Sequence, residues 1–313
     1  MAYRKRQSSG LSPATRITQE IIARLEAGTK PWIKPWRGVP VSRPLRACGI
    51  PYRGMNVFWL WMVADMCGYA SPFWMTYNQA KSLGAQVRKD ETSTIAIFYK
   101  SYTKEVEAPD TGEKTDEARR VLKAYPVFNA DQVEGLPERF HPAATLELVE
   151  PAGREAELDA FFAAIPVNLR HQGCEAYYEP AMDRVTMPPA SLFAGYDHYY
   201  ATLAHELSHW TGHASRLGRD LKNRFGTAAY AAEELVAELS SAMLGAELGL
   251  PVTHLDSHAS YIEHWLKLLK DDDRAILTAA AKAEEASTLL LKLGGRIIPE
   301  QFDDASDEAA LAA

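Results

Sequence analysis

The sequence predicts an α+β protein in two modules, a basic N-terminal α+β module and a mainly helical C-terminal module with a small sheet. Three observations predict it. Helix-like patterns are followed by strand-like ones over the first 130 residues, whereas beyond residue 154 apolar stripes of helical spacing predominate, with one short hairpin among them. Charge divides the chain in the same way: residues 1–100 hold 15 Lys and Arg against 5 Asp and Glu, and the other 213 hold 19 against 36, so the net −7 hides a basic front and an acidic rear. Pro137, Pro142, Pro151 and Gly153 interrupt the pattern between them. The expected organisation is a disordered basic arm (1–11), a front module (12–135), a linker (136–155), a rear module (156–297) and an acidic disordered tail (298–313).

The elements follow in order. Ser12-Pro13 supplies a capping hydroxyl and a first-turn proline, Ile17, Ile21, Ile22 and Leu25 make an apolar stripe, and Gly28 ends the helix. Pro31-Trp32 and Pro35-Trp36 cannot continue it, so 28–38 is an extended loop. Residues 55–66 read as a helix whose ten-residue apolar run, Met55 to Ala64, is too short to span a bilayer. A short helix over 76–83 and strands over 94–102 and 124–129 follow. The charged run 104–120, with Pro109-Asp110-Thr111-Gly112, reads as a hairpin tip or loop. The rear holds a helix over 154–164, a hairpin of 176–178 and 184–187, and helices over about 198–211, 230–248, 259–270 and 274–293. Cys48, Cys67 and Cys174 form no CxxC pair, which argues against a disulfide framework and a cysteine-zinc site and suits a reducing cytoplasm.

One motif names a reaction. His205-Glu206-Leu207-Ser208-His209 lies on the helix over 198–211, for which Asp197 is the expected N-cap and Gly212 the stop. Leu203, Leu207 and Trp210 form the buried stripe, and the two imidazoles, four residues apart, share another face where both can bind one divalent ion. Bare His-Glu-x-x-His recurs by chance in about one chain in a hundred, so context carries the weight. A third ligand is required. A histidine six residues after His209 is ruled out by Ser215, so the helix carrying Glu233, Glu234 and Glu238 must supply a carboxylate. Glu234 is assigned as ligand, with Glu233 as fallback. Glu238 is assigned to accept the free N–H of a ligand histidine. Glu206 is the expected general base. Tyr199, Tyr200, Tyr230 and His213 are unranked candidates for stabilising an oxyanion. The expected cofactor is one divalent metal per chain, Zn2+ first, with Mn2+ or another divalent ion as alternatives.

The front combines cations with flat rings, as single-stranded nucleic acid binding requires. Lys30, Trp32, Lys34, Trp36, Arg37, Arg43, Arg46, Tyr52, Arg53, Trp74, Lys81, Arg88 and Lys89 are the candidate contacts. The same composition suits a basic protein-contact surface, and both readings stand on residue content alone.

Longer motifs narrow the choice. Ile17-Thr-Gln-Glu-Ile-Ile22, Leu25-Glu-Ala-Gly-Thr-Lys-Pro-Trp32, Pro51-Tyr-Arg-Gly-Met-Asn56, Trp74-Met-Thr-Tyr-Asn-Gln-Ala80 and Gly84-Ala-Gln-Val-Arg-Lys89 resemble the N-terminal domain of ArdC-type antirestriction proteins, a module similar to one that opens some plasmid TraC-type primases. Ala201-Thr-Leu-Ala-His-Glu-Leu-Ser-His-Trp-Thr-Gly-His213, Ser215-Arg-Leu217 and Tyr230-Ala-Ala-Glu-Glu-Leu-Val-Ala-Glu238 resemble the zincin-like metallopeptidase domain of the same proteins, in its glutamate-liganded (gluzincin) form. The likeness covers about residues 14–295. It implies a cytoplasmic protein of a plasmid or mobile element that binds single-stranded DNA and shields incoming DNA from host restriction during conjugation. A restriction component or another protein is the implied peptidase substrate, and no membrane is involved. Position 90, commonly glycine in relatives, is Asp90 here. The rival expectations are a dedicated metalloprotease that uses its front for localisation, and a DNA-binding protein whose metal site is catalytically silent.

Overall fold

A computed structural model describes residues 10–30, 32, 42–107, 114–141, 153–220, 227–250 and 259–296. The arm up to residue 9, the tail and most of the expected linker lie outside them.

The front opens with α1 (Pro13–Glu26), where Ser12 accepts a hydrogen bond from the Thr15 amide and Ile17, Ile21 and Leu25 are buried, as the stripe predicts. β1 (Leu45–Arg46) leads to α2 (Met55–Cys67), which ends on left-handed Gly68. β2 (Phe73–Met75), α3 (Tyr77–Ser82) and β3 (Gln86–Val87) follow. Thr76 and Gln79 close α3 with a reciprocal capping box. Asp90 stands at φ 67°, the left-handed region where glycine sits freely and aspartate is among the few tolerated side chains.

β4 (Thr94–Glu107) and β5 (Lys114–Asn129) pair along their whole length, from Thr94↔Val127 to Glu107↔Lys114. Of the two expectations for 104–120, a hairpin tip or a loop, the pairing favours the hairpin, with strands that run farther into the charged segment than the sequence reading gave. The register sets Lys104 opposite Glu117, Glu105 opposite Asp116 and Glu107 opposite Lys114. Charge density conceals these strands in the sequence. β1, β2, β5 and β4 form one sheet in that order, and β3 pairs with β6 (Val133–Glu134).

The rear begins with α4 (Arg154–Ala163). β7 (Asn168–His171), β8 (Tyr177–Glu179) and β9 (Arg184–Met187) form a three-stranded sheet with β9 central and β8 at one edge. β7 is absent from the sequence reading because Asn-Leu-Arg-His shows no apolar alternation. Four helices follow: α5 (Tyr196–Thr211), α6 (Ala228–Leu248), α7 (Ala259–Asp271) and α8 (Ala275–Leu293). The N-cap of α5 is Gly195, not Asp197, which lies in the first turn where its charge favours the helix dipole.

α6 organises the molecule. Its Leu235, Leu239 and Met243 share a core with Ile17 and Ile21 of α1, Trp61 of α2, Trp265 of α7 and Ile276 of α8. Its Leu244 and Leu248 enter a second core with Phe161, Met187, Leu207, Trp210 and Leu290. Front and rear helices thus bury apolar surface together. Polar contacts reinforce this: Arg43 pairs with Glu247 and Glu284, each at 2.7 Å, and Thr18 donates to the Asp273 carbonyl at 2.6 Å. No described helix is long and apolar enough to cross a membrane.

Because Leu239 lies in the shared core, Leu239→Ala is expected to cost about 2–5 kcal/mol. Tryptophan fluorescence, dominated by the front, and far-UV circular dichroism, dominated by the rear helices, should then lose signal in one coincident transition. Two separated transitions would contradict a shared core.

Candidate metal centre

α5 buries Leu203, Leu207 and Trp210 in the second core and turns His205 and His209 toward α6. α6 buries Leu235, Leu239 and Met243 on one side and presents Glu234 and Glu238 to α5 on another. Two patterns of period 3.6 thereby set imidazoles against carboxylates.

One donor atom each from His205, His209 and Glu234 lies within 4.8 Å of the others. His205 Nε2 is 3.6 Å from Glu234 Oε2, and His209 Nε2 is 3.7 Å from Glu234 Oε1. Glu206 lies beside them in a cleft of about 280 Å³ that is also lined by Tyr230, Glu233 and, from the β8 hairpin, Tyr177, Tyr178 and Pro180.

The three residues expected as ligands lie together, and the carboxylates around them are arranged differently from expectation. Glu233, the fallback ligand, instead accepts from His209 Nδ1 at 3.2 Å, on the ring edge away from the cluster. Arg219 grips Glu233 with Nε at 3.0 Å and Nη2 at 2.9 Å, and donates to the Ser208 carbonyl at 2.6 Å. So the role given to Glu238 belongs, for His209, to Glu233. Glu238 Oε2 stands 3.9 Å from His205 Nδ1, beyond a hydrogen bond, and that nitrogen is buried without a partner. Arg219 escapes sequence reasoning, because it lies in a loop with no periodicity to point it at the site.

The charge balance tests the fit. Glu206, Glu233, Glu234 and Glu238 bring four formal negative charges to the cleft and its walls, and Lys30 and Arg219 pair with Glu238 and Glu233. Two negative charges remain, which one divalent cation on two imidazoles and a carboxylate neutralises. Without an ion, a proton substitutes. Burial by itself lowers the His205 pKa, but Glu234, Glu206 and Glu238 outweigh it and raise the value to about 9. Burial raises that of Glu234, yet the two histidines and a hydrogen bond from Tyr230 bring it down to about 2.

Of the oxyanion candidates, Tyr230 lines the cleft. Tyr199 and Tyr200 turn into the second core, where Tyr199 is bonded to His171 at 2.8 Å and Tyr200 donates to Asp159 while stacking on Phe162. His213 is engaged with Ser215 at 2.8 Å. None of these three is among the residues that line the cleft. Tyr178, which periodicity does not flag, lines the cleft and donates to Asp183, itself held by Arg216.

The expected DNA contacts divide. Trp32, Tyr52 and Trp74 are 2%, 2% and 1% exposed, so their faces are core surface and offer no platform to a base. Lys30 and Arg43 are buried in ion pairs. Those five expectations are corrected: a cation close to an aromatic ring in the sequence serves packing. Arg46 covers the Tyr52 ring, Arg53 is half-buried, and Lys81, Arg88 and Lys89 are exposed, Arg88 alongside Glu91 at 2.8 Å. Lys34, Trp36 and Arg37 lie outside the described residues.

Both modules resemble known proteins. Residues 12–128 match the family model of the N-terminal domain of anti-restriction factor ArdC, and residues 156–282 match that of a zincin-like metallopeptidase. The crystal structure of the antirestriction protein ArdC from plasmid R388, metal-free, superposes with a TM-score of 0.78 at 43% identity over 92% of this chain and all of that one. The chain belongs to the ArdC antirestriction family. The Mn(II)-bound structure of the same R388 protein gives a TM-score of 0.75 at 42% identity, again over 92% of this chain and all of that one. The uncharacterised protein y4eC of Sinorhizobium fredii is 40% identical over 86% of this chain and 88% of its own length. The DNA primase TraC of Escherichia coli is 38% identical over 95% of this chain, which spans 29% of that larger protein. A Mn(II)-bound family member supports a divalent ion as the cofactor.

The pKa directions set a pH dependence. The His205 proton stabilises the metal-free fold fully below its unfolded value near 6.5, and that contribution is lost as pH rises through about 9. The Glu234 charge contributes above its unfolded value and is lost as pH falls through about 2. A metal held by His205 would displace that proton, so apparent Zn2+ or Mn2+ affinity is expected to rise from pH 6.5 to 9, by up to about tenfold per unit. The metal-induced gain in Tm should widen over the same interval. Titrations at fixed ionic strength check both, and affinity flat across that interval would contradict a His205–metal bond.

Proposed function

We propose that this chain is an antirestriction protein that binds single-stranded DNA through its basic front and carries a metal-dependent peptidase site in its rear. The observation that carries the peptidase reading is the convergence of His205, His209 and Glu234 on one point with Glu206 in the same cleft.

A divalent ion bound to these donors supplies Lewis acidity to the cleft, polarising water and the carbonyl of a peptide. Glu206 takes the proton from the attacking water on its carboxylate and returns it to the leaving nitrogen. Tyr230 lines the cleft wall and hydrogen-bonds Glu234, which leaves its phenol within the cleft as the proposed donor to the developing oxyanion once Glu234 engages a metal. Arg219, through Glu233, keeps His209 in the tautomer that leaves Nε2 free. The peptide substrate is proposed to be a host restriction component or another protein met by incoming DNA.

For the front, the exposed Lys81, Arg88 and Lys89 with half-buried Arg53 are the proposed phosphate contacts. Lys34, Trp36 and Arg37 of the Pro-Trp segment, outside the described residues, are proposed as further contacts, with Trp36 as the base-stacking ring. The carriage of such a protein on a plasmid and its action during conjugation belong to the same proposal.

Two experiments test the reading. Glu206→Gln should keep stoichiometric metal and lower peptidase turnover by at least about 10²-fold. If antirestriction in cells survives that change intact, DNA binding without chemistry accounts for the function. The triple change Lys81→Ala, Arg88→Ala and Lys89→Ala should reduce the salt slope of single-strand affinity by about 2, near 0.7 for each phosphate no longer neutralised. A wild-type slope would place the DNA elsewhere on the molecule.

A further inference from the structure

Each ligand histidine has a carboxylate behind it, and each carboxylate has a cation behind it. On the His209 side both come from the rear: Glu233 at 3.2 Å, gripped by Arg219. On the His205 side the carboxylate is Glu238 of α6, and the cation comes from the opposite end of the chain. Lys30 Nζ lies 2.5 Å from Glu238 Oε1, and the Trp32 indole N–H points at the same oxygen from 3.4 Å. The other oxygen of Glu238 faces His205 Nδ1 at 3.9 Å.

Four observations give this arrangement a function. Lys30 and Glu238 are 6% and 5% exposed, and buried ion pairs contribute little net stability over an apolar pair, so the consequence of this one is positional. Lys30 is fixed in place, its ammonium 5.5 Å from the Trp265 ring centre, while Trp32 meets Trp265 edge-on at 5.5 Å. His205 Nδ1 is buried and has no hydrogen-bond partner. A histidine that gives Nε2 to a metal carries its proton on Nδ1, and Glu238 Oε2 is in position to receive it after a shift of about 1 Å.

We infer that Lys30, assisted by Trp32, is a positioning residue of the metal centre: by holding one oxygen of Glu238 it aims the other at His205, so a segment of the front module sets the metal affinity of the rear. This rests on the metal-centre reading above. It gives front and rear a physical connection, Lys30 to Glu238 to His205 to metal, through which metal binding and the placement of the segment after α1 affect each other reciprocally.

The test uses the full-length chain. Lys30→Met and a control, Thr18→Val, are titrated with Zn2+ against a chelating dye, and the Co2+-loaded forms are compared by visible absorption. Thr18→Val removes a partly buried front–rear hydrogen bond that touches none of the metal-site residues. The expected result is a 10- to 100-fold weaker affinity and an altered Co2+ spectrum for Lys30→Met, with far-UV circular dichroism unchanged and Thr18→Val binding like wild type. Should Lys30→Met fail to fold, Glu238→Gln, which conserves shape, is expected to show the same loss of affinity. Wild-type affinity and spectrum in Lys30→Met, or in Glu238→Gln where Lys30→Met does not fold, would overturn the inference, as would an equal loss in Thr18→Val, which would mark general loosening. Failure of the wild-type chain to take up any metal would instead overturn the metal-centre reading itself, and the inference with it.

Discussion

The structure depends on the placement of four carboxylates between α5 and α6. Glu206, Glu233, Glu234 and Glu238 are brought into a space shared with two imidazoles, and burying that much like charge is untenable without compensation. Lys30 and Arg219 neutralise half of it from opposite sides. The remainder is balanced by a proton on His205 or, more completely, by a divalent cation. The site is therefore defined as much by electrostatic deficit as by ligand geometry, and metal selection and pH response follow from the same balance.

The apolar cores serve that balance. α6 has one apolar stripe in a core with α1, α2, α7 and α8 and another in the core beneath α5 and the three-stranded sheet. It cannot rotate without exposing Leu239 or Leu244, so the direction of Glu234 and Glu238 is fixed by hydrophobic packing on either side. The same packing brings Lys30 to Glu238 across 208 residues of sequence. A front module that merely delivered the rear to DNA would need no buried contact with it. Here it contributes a side chain to the immediate surroundings of the site.

Much of this is legible in the sequence, for definite reasons. α1, α5, α6 and α8 are readable because long amphipathic helices carry a strong period, and Ser12 and Gly212 mark ends. That His205 and His209 face the same way is readable because i, i+4 spacing on a helix converts directly to a shared face. What escapes is set by tertiary pairing. β7 and the outer halves of β4 and β5 carry no apolar alternation, so only the strand each pairs with defines them. Arg219 and Lys30 reach the site from loops, where spacing says nothing about direction. Trp32, Tyr52 and Trp74 suggest base stacking, since an aromatic ring beside a basic residue looks the same in sequence whether the ring faces solvent or the core.

X-ray absorption spectroscopy of the Zn2+-loaded protein tests the central claim most directly. The account requires two imidazole nitrogens at about 2.0–2.1 Å and one carboxylate oxygen at about 2.0–2.2 Å, with light-atom donors completing the shell and no sulfur. The imidazole signature should fall to a single ring in His205→Ala. A shell of water oxygens without histidine scattering, or a spectrum unchanged by loss of His205, would contradict it.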